Sequence, residues 1–255
     1  MNENNDLKGK TAVVTGAARG LGQEYVVAMA ACGMNILAAD RDDCAETAGL
    51  AKGPGKVECV TVDVANAAST VAMAKAASDA FGRIDVLVNN AALYGGLASG
   101  PFDRIEEAEW DFCMAVNIRG VWNACKAVVP AMREAGGGSI INISSLAATY
   151  GLPYSLHYTT SKGAVIGMTR GLARELGRHW IRVNAVAPSA VMTDATKEFF
   201  GEKLDRAAEV IRDGQSLKRN LEVQDLAGTI LWLASDASRF VTGQTIMVDG
   251  GTTFL

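Results

Sequence analysis

Short apolar runs rich in valine and isoleucine alternate with longer segments of helical spacing along almost the whole chain. Seven of these runs have the length of strands: Thr11–Thr15, Asn35–Asp40, Val57–Val62, Asp85–Asn90, Ser139–Ser144, Ile181–Ala187 and Thr245–Val248. Runs that are continuously apolar, without alternation, are typical of strands buried on both faces of a parallel sheet. The pattern predicts an α/β fold in which a seven-stranded parallel sheet is covered by helices on both faces, a doubly wound (Rossmann) arrangement.

The segments between these runs carry apolar residues three and four apart, which indicates helices. The clearest are Leu21–Cys32, Ala67–Phe81, Glu106–Arg133, Tyr158–Arg178 and Val223–Ala234. No linker or repeat of fixed period divides the 255 residues, so we expect one domain over 1–255. Residues 193–216, the lid segment, follow the sixth strand and carry the pair Phe199–Phe200, and we expect them to cover the substrate.

Charge and composition exclude several kinds of partner. The net charge is 24 − 28 = −4, which argues against binding to nucleic acid or to an anionic membrane. The first ten residues have no apolar signal core, and no stretch of roughly 18 residues stays apolar, so we expect a soluble, cytoplasmic protein. Five cysteines without zinc-site spacing and two histidines predict no metal site.

A glycine-rich turn follows the first predicted strand, with the sequence Gly16-Ala-Ala-Arg-Gly20-Leu-Gly22. Glycines allow the backbone to approach a pyrophosphate, and the N-terminus of the following helix stabilises its charge. The glycines alone are also compatible with an ordinary tight turn. Asp40 ends the second strand 20 residues after Gly20, where a carboxylate can accept hydrogen bonds from both ribose hydroxyls and would repel a 2′-phosphate. Together these features predict NAD as the cofactor.

The glycine spacing resembles that of the short-chain dehydrogenase/reductase family, and further motifs extend the resemblance from Lys10 to Gly251. They are Asp63-Val64, Asn89-Asn90-Ala91-Ala92, Asn117, Ser145, Tyr158-Thr-Thr-Ser-Lys162 and Pro188-Ser189-Ala190-Val191-Met192-Thr193. Ala92 and Ser189 stand where the family has glycine. The resemblance implies cofactor contacts from Gly16, Arg19, Gly20, Leu21, Gly22, Asp40, Arg41, Asp63, Val64, Asn90, Ala91, Ala92, Tyr158, Lys162, Pro188, Ser189, Val191 and Thr193.

The resemblance also implies a catalytic tetrad of Asn117, Ser145, Tyr158 and Lys162. Tyr158 and Lys162 are four residues apart, so they share one helix face, and a lysine ammonium beside a phenol is expected to lower the pKa of the phenol. Tyr158 would then serve as acid–base catalyst, and Ser145 would hydrogen-bond the substrate oxygen. By resemblance, Asn117 anchors a water that links Lys162 to solvent.

These residues predict an NAD-dependent enzyme that interconverts a secondary alcohol and a ketone. The expected pocket is apolar and suits a neutral, moderately hydrophobic or cyclic substrate. Its candidate residues are Tyr94, Leu97, Leu146, Tyr150, Leu152, Tyr154, Val191, Met192, Phe199 and Phe200. One alternative is a 3-oxoacyl thioester reductase whose Arg133 and Arg174 meet an acidic carrier protein at the edge of the site. Another is a non-catalytic NAD-binding sensor, against which Ser145, Tyr158 and Lys162 argue.

Apolar side chains on more than one face of the long predicted helices indicate self-association. Trp110, Phe112, Val116, Trp122 and Val128 lie on the segment Glu106–Arg133. Helices of this family pair across a two-fold axis, so the resemblance implies a homotetramer or homodimer. For His157, directly before Tyr158, we expect a structural role.

Overall fold

A parallel sheet runs through the part of the chain that this computed structural model describes, residues 6–254. Its seven strands are β1 Thr11–Thr15, β2 Asn35–Asp40, β3 Val57–Thr61, β4 Val86–Asn89, β5 Gly138–Ile143, β6 Ile181–Pro188 and β7 Thr245–Val248. They lie in the order β3-β2-β1-β4-β5-β6-β7, and every neighbouring pair in this range is parallel. The predicted doubly wound fold is confirmed, and each strand end lies within one residue of its prediction.

Helices connect these strands. Within 6–254 they are α1 Gly20–Ala31, α2 Ala45–Leu50, α3 Ala67–Phe81, α4 Glu107–Met114, α5 Gly120–Glu134, α6 Ala147–Tyr150, α7 Leu156–Leu176, α8 Asp194–Phe200, α9 Leu204–Gly214 and α10 Gln224–Ala234. The segment predicted as one helix, Glu106–Arg133, is interrupted by a π-helical turn at Ala115–Arg119 that joins α4 to α5. Such turns occur often at functional sites, and Asn117 lies at the middle of this one. No helix in this range is long and apolar enough to cross a membrane.

Two apolar layers cover the two faces of the sheet. Val14 packs in one layer with Tyr25 and Met29 of α1 and with residues of α10. Val13, which points to the opposite face, packs in the other layer with residues of α3, α5 and α7. Burial on both faces holds for the five central strands but is wrong for β3 and β7, whose residues are half-buried or exposed. The physical reason is that β3 and β7 are the edge strands, and helices cover them only in part.

The chain reverses its direction of travel across the sheet between β3 and β4. It moves outward from β1 to β2 and β3, then returns to place β4 on the other side of β1. The helices that follow β1 and β4, α1 and α5, therefore pack on opposite faces of the sheet. A crevice opens at the carboxyl ends of these two strands, the usual ligand position in open α/β sheets. The predicted motifs at Gly16 and Asn90 begin directly at this crevice.

Candidate active site

A cavity of about 1370 Å³ lies at the carboxyl edge of the sheet. It extends from Asp40, at the end of β2, to Ser145 and Tyr158, beyond the end of β5. Of the residues predicted to contact the cofactor, all except Gly22 line this cavity. The fold therefore brings motifs from five separate loops to one continuous space.

Gly22 shapes the cavity from beneath. A Cβ atom at this position would come within 2.0 Å of the carbonyl oxygen of Gly16, so only glycine lets α1 lie this close to the preceding turn. Gly16 itself has a φ of +67°, and a Cβ there would lie 2.7 Å from the Cα of Ala91. The close approach leaves the first turn of α1 facing the cavity, where its N–H groups can bind phosphate oxygens.

Hydrogen bonds join the loop after β1 to the loop after β4. The amide Nδ2 of Asn90 donates to the carbonyl oxygens of Thr15 and Gly16, at 3.1 and 2.9 Å. In return, the hydroxyl of Thr15 accepts from the backbone N–H groups of Asn90 and Ala91, each at 3.1 Å. Ala92 follows without a positive φ, so its methyl group replaces the family's glycine without backbone strain. This junction fixes the centre of the cavity.

One end of the cavity fits the adenosine ribose of a dinucleotide. The carboxylate of Asp40 accepts hydrogen bonds from the N–H of Ala18 at 2.9 Å and from the N–H of Asp42 at 3.1 Å. These contacts orient the carboxylate and still leave it capacity to accept further hydrogen bonds. Arg19, beside Gly20, forms an ion pair with Glu198 of α8, and its Nη1 lies 3.4 Å from Oε1 of Glu198. Its guanidinium is thus paired with the lid segment.

Ser145, Tyr158 and Lys162 line the other end of the cavity. The hydroxyl of Ser145 acts to lower the pKa of the Tyr158 phenol, but burial outweighs this effect and raises that pKa to about 12. The expectation of a lowered tyrosine pKa is therefore wrong for the protein's own groups. The reason is desolvation, which disfavours the phenolate. Tyr158 is accordingly a protonated phenol, the form that can donate a proton.

Lys162 is buried directly beneath Tyr158. Its Nζ donates to the carbonyl oxygen of Ile143 at 2.8 Å and lies 5.7 Å from the centre of the Tyr158 ring. The hydroxyl of Ser144 donates to the backbone carbonyl of Lys162 at 2.9 Å, which ties α7 to the end of β5. Burial lowers the pKa of the Lys162 ammonium to about 8, so this group changes charge close to neutral pH.

Asn117 connects the loop after β4 to α7, the helix that carries Tyr158 and Lys162. Its Oδ1 accepts from the N–H of Leu93 at 2.7 Å, and its Nδ2 donates to the carbonyl of Leu93 and to the hydroxyl of Ser161, both at 3.1 Å. The π-helical turn places this side chain between the two elements. The observed role is to position the loop against α7, and the water relay implied by the family remains a prediction.

Ser189 directly follows β6, at the position where the family has glycine. Its hydroxyl donates to Oε1 of Gln215 at 3.0 Å, and the buried Gln215 side chain in turn donates to the carbonyls of Leu217 and Arg219. The hydroxyl therefore holds the end of the lid segment and does not act only beside the cofactor. Sequence reasoning missed this contact because Gln215 lies 26 residues away.

Most of the predicted substrate-pocket residues line the cavity, but three do not. Those that do are Tyr94, Leu146, Tyr150, Leu152, Val191, Met192 and Phe200. Leu97 is buried in a small apolar cluster behind the site, and Tyr154 is 64% exposed in a turn with a φ of +61°. Phe199 stacks on Tyr94, with the ring centres 4.5 Å apart, and supports that residue from behind.

The lid segment is largely helical, as α8 and α9, and it lies over the cavity. Ala207, Val210 and Ile211 of α9 face this space, together with the cations Lys203 and Arg206. Sequence reasoning missed these five residues. The apolar spacing of Leu204, Ala207, Ala208 and Ile211 predicts a helix here, but of these four residues only Ala207 and Ile211 line the cavity.

Arg133 and Arg174 do not lie at the edge of the site within this chain. They occupy the C-terminal ends of α5 and α7, which lead into the starts of β5 and β6. A helix that connects parallel strands runs back against their direction, so its C-terminal end reaches the amino edge of the sheet. The cavity is at the carboxyl edge, and the proposed role of the two arginines there is wrong.

Known proteins match this chain over almost its whole length. A family model described as Enoyl-(Acyl carrier protein) reductase matches residues 16–253. The 3-oxoacyl-(acyl-carrier-protein) reductase of Thermotoga maritima is 39% identical over 249 residues, which cover 96% of this chain and 98% of the relative. D-threitol dehydrogenase of Mycolicibacterium smegmatis is 38% identical over 251 residues, with 97% and 94% covered.

The crystal structure of carveol dehydrogenase from Mycobacterium avium in complex with NAD superposes with a TM-score of 0.91 at 32% identity. The match covers 97% of this chain and 99% of that one. The chain therefore belongs to the short-chain dehydrogenase/reductase family, and it is an oxidoreductase of that family.

The lowered pKa of Lys162 has a consequence for stability. Between about pH 8 and the ordinary lysine pKa of 10.5, the unfolded chain binds a proton at this residue that the folded chain has lost, so stability rises with pH. We expect the unfolding free energy of wild type minus that of Lys162→Met to increase between pH 8 and 10, by at most about 1.4 kcal/mol per pH unit. Denaturant titrations at several pH values measure it.

The exposed Lys52 supplies the matched control, because Lys52→Met removes a solvated ammonium. Comparison of the two variants separates the effect of the buried Lys162 amine from that of removing a lysine at the surface. A wild-type minus Lys162→Met difference that stays flat would contradict the lowered pKa.

Proposed function

We propose that this protein is an NAD-dependent dehydrogenase that interconverts a secondary alcohol and a ketone. The observation that carries the proposal is the single cavity that has Asp40 at one end and Ser145, Tyr158 and Lys162 at the other. Asp40 suits the binding of a dinucleotide, and the other three residues suit proton transfer at a carbinol oxygen. A non-catalytic sensor would not require Ser145, Tyr158 and Lys162 together at the end of the cavity.

The chemistry assigned to each residue follows from its position. The nicotinamide of the cofactor supplies or accepts the hydride when bound. Ser145 donates a hydrogen bond to the substrate oxygen, and Tyr158 transfers a proton to or from that oxygen. The Lys162 ammonium, 5.7 Å from the centre of the Tyr158 ring, favours the phenolate when the proton leaves. Burial of both groups strengthens this electrostatic effect.

A preference for NAD over NADP rests on charge at the adenosine end. Asp40 and Asp63 line this part of the cavity, and Arg19 is paired with Glu198. A 2′-phosphate would therefore meet carboxylates at close range, without the guanidinium that could best neutralise it. Arg41 is exposed, and a solvated arginine offsets little of this repulsion.

The substrate that fits best is neutral and moderately hydrophobic or cyclic. Beside Ser145 and Tyr158 the wall consists of Leu146, Leu152 and Tyr94, and α9 adds an apolar face above them. Such a lining excludes a strongly charged reacting group and binds carbon skeletons by burial.

Reduction of a 3-oxoacyl thioester is the second candidate function. The relative from Thermotoga maritima is a reductase of that kind, and two cations lie at the mouth of the cavity. Neither Lys203 nor Arg206 forms an ion pair within residues 6–254, so both can meet the phosphates of an acyl carrier.

One assay separates these functions. Change in NADH absorbance is followed with a panel of open-chain and cyclic secondary alcohols, the matching ketones, and acetoacetyl-CoA as the thioester. The proposal expects the highest kcat/KM with a cyclic or apolar pair. A higher value with the thioester would favour the second candidate, and no turnover with any member and either cofactor would contradict both.

Tyr158→Phe should bind NAD as wild type does but lose at least about 10²-fold in kcat, because the ring still packs while the proton donor is gone. Steady-state turnover and NADH fluorescence titration measure the two quantities. Tyr150→Phe is the control, since Tyr150 also lines the cavity but has no lysine beside it. Near-normal turnover by Tyr158→Phe would remove this mechanism.

The wild-type kcat/KM for NAD should exceed that for NADP by at least about 10²-fold, since like charges at close range cost several kcal/mol. Asp40→Ser should narrow the gap by improving the use of NADP. Parallel steady-state assays with both cofactors provide the values. Equal use of the two cofactors by the wild type would count against the role given to Asp40.

We propose further that the lid segment closes on the substrate. Phe200 lines the cavity, and the Arg19–Glu198 ion pair and the Phe199–Tyr94 stack hold α8 over it. Phe200→Ala should raise KM for an apolar substrate about tenfold and leave the Kd for NAD nearly unchanged. The exposed Phe102 gives the control variant Phe102→Ala. An unaltered KM would show that Phe200 does not contact the substrate.

We also propose that the enzyme acts in the cytoplasm as a homotetramer or homodimer. Phe112 of α4 and Trp122 of α5 are 47% and 49% exposed, which leaves apolar area uncovered on these helices. Sedimentation of the wild type should give a closed oligomer, and Trp122→Glu should shift it to smaller species. A monomer at all concentrations would contradict the proposal.

A further inference from the structure

His157 is fully buried and directly precedes the proposed proton donor Tyr158 at the start of α7. Its Nδ1 accepts a hydrogen bond from the backbone N–H of Tyr158 at 3.0 Å. Its Nε2 has no hydrogen-bond partner among residues 6–254. The carboxylate of Glu109 faces this nitrogen, and its Oε1 lies 3.7 Å from Nε2. The His157 ring therefore lies between the backbone N–H of Tyr158 and the carboxylate of Glu109.

Glu109 also holds a loop that leads into the site. The same Oε1 accepts from the N–H of Ala98 at 2.5 Å. Close by, the N–H of Gly100 donates to the carbonyl of Tyr154 at 2.9 Å. The loop after β4 is thus connected to the start of α7 at two points, one of them through Glu109.

The hydrogen bond to Tyr158 determines which nitrogen of His157 carries the proton. A nitrogen that accepts a hydrogen bond must present its lone pair, so Nδ1 is unprotonated. In the neutral ring the proton is then on Nε2, which faces the Glu109 carboxylate. A carboxylate that faces one imidazole nitrogen fixes the tautomer and the orientation of the ring.

The start of α7 requires such a partner. The first N–H groups of any helix have no acceptor inside the helix, and the N-cap side chain usually supplies one. Ser155 is the N-cap of α7, but its side chain accepts no capping hydrogen bond, and its buried Oγ has no partner within the described range. His157 supplies the acceptor that Ser155 does not.

We infer that Glu109 and His157 form a positioning pair that fixes the backbone of Tyr158 and thereby the place of its phenol relative to Ser145. Neither residue lines the cavity, so neither touches the substrate or the cofactor. The inference rests on the proposed function, in which Tyr158 transfers the proton. Misplacement of a reacting group by about 1 Å can lower the rate about 10²-fold. The contact of His157 with the Tyr158 backbone is therefore expected to affect kcat, although it does not touch the substrate.

The tautomer can be measured without turnover. The chain has two histidines, so ¹⁵N labelling of the rings gives two signal pairs, and His179→Gln assigns them. At pH 7 the pair predicts an unprotonated Nδ1 and a protonated Nε2 for His157 in the wild type. A protonated Nδ1, alone or in a doubly protonated ring, would overturn the inference.

Two substitutions of His157 distinguish the role of Nδ1 from that of Nε2. In His157→Asn the side-chain oxygen takes the place of Nδ1 and can accept from the N–H of Tyr158. In His157→Gln the longer side chain brings its amide to the place of Nε2 and leaves no acceptor at the place of Nδ1. We expect His157→Gln to lose about 10- to 100-fold in kcat and His157→Asn to lose at least about fivefold less. The Kd for NAD should stay unchanged in both, and His179→Gln should behave as wild type.

Substitution of the acid completes the test. Glu109→Ala should lower kcat. Glu109→Gln, whose amide oxygen can still accept from the N–H of Ala98, should keep most of the wild-type kcat. Equal losses in the two His157 variants, or losses in NAD affinity without a change in kcat, would overturn the inference. If circular dichroism shows that a variant does not fold, the tautomer of His157 measured in the wild type still tests the inference. Absence of wild-type turnover across the substrate panel would instead refute the proposed function and leave the tautomer test intact.

Discussion

The site depends on the contact between the loops that leave β1 and β4. Asn90 and Thr15 exchange hydrogen bonds across it, and glycine at positions 16 and 22 lets the backbones come close enough for those bonds to form. β1 and β4 are neighbours only because the sheet order reverses there. Any larger side chain at Gly22 would push α1 away from the turn and so remove the surface that a pyrophosphate requires.

Burial controls the chemistry at the other end of the cavity. The pKa of Tyr158 is raised to about 12 and that of Lys162 is lowered to about 8, because each would have to hold its charge away from water. Both shifts favour the neutral forms, a protonated phenol beside an amine that loses its proton easily. If an oxidised nicotinamide binds there as proposed, its positive charge would favour the phenolate, an effect that the chain's own groups do not supply alone.

The sequence predicts the strands and the main motifs well because each depends on local residue types: apolar runs, glycines at a turn, and a tyrosine and a lysine one helical turn apart. It fails where the answer depends on distant contacts. Phe199 stacks on Tyr94, Ser189 bonds Gln215, and the π-helical turn at Asn117 carries no simple sequence signal. The position of Arg133 was predictable, since the direction of a crossover helix follows from the parallel sheet.

The proposed reaction is direct hydride transfer between a carbinol carbon and the cofactor in this cavity. The most direct measurement uses a secondary alcohol that is a substrate in the absorbance panel and carries deuterium on the carbinol carbon. NAD is the acceptor, and mass spectrometry of the reduced cofactor is the readout. We expect one deuterium on the nicotinamide ring for each ketone formed. Formation of the ketone with unlabelled reduced cofactor, or with deuterium released to water, would contradict it.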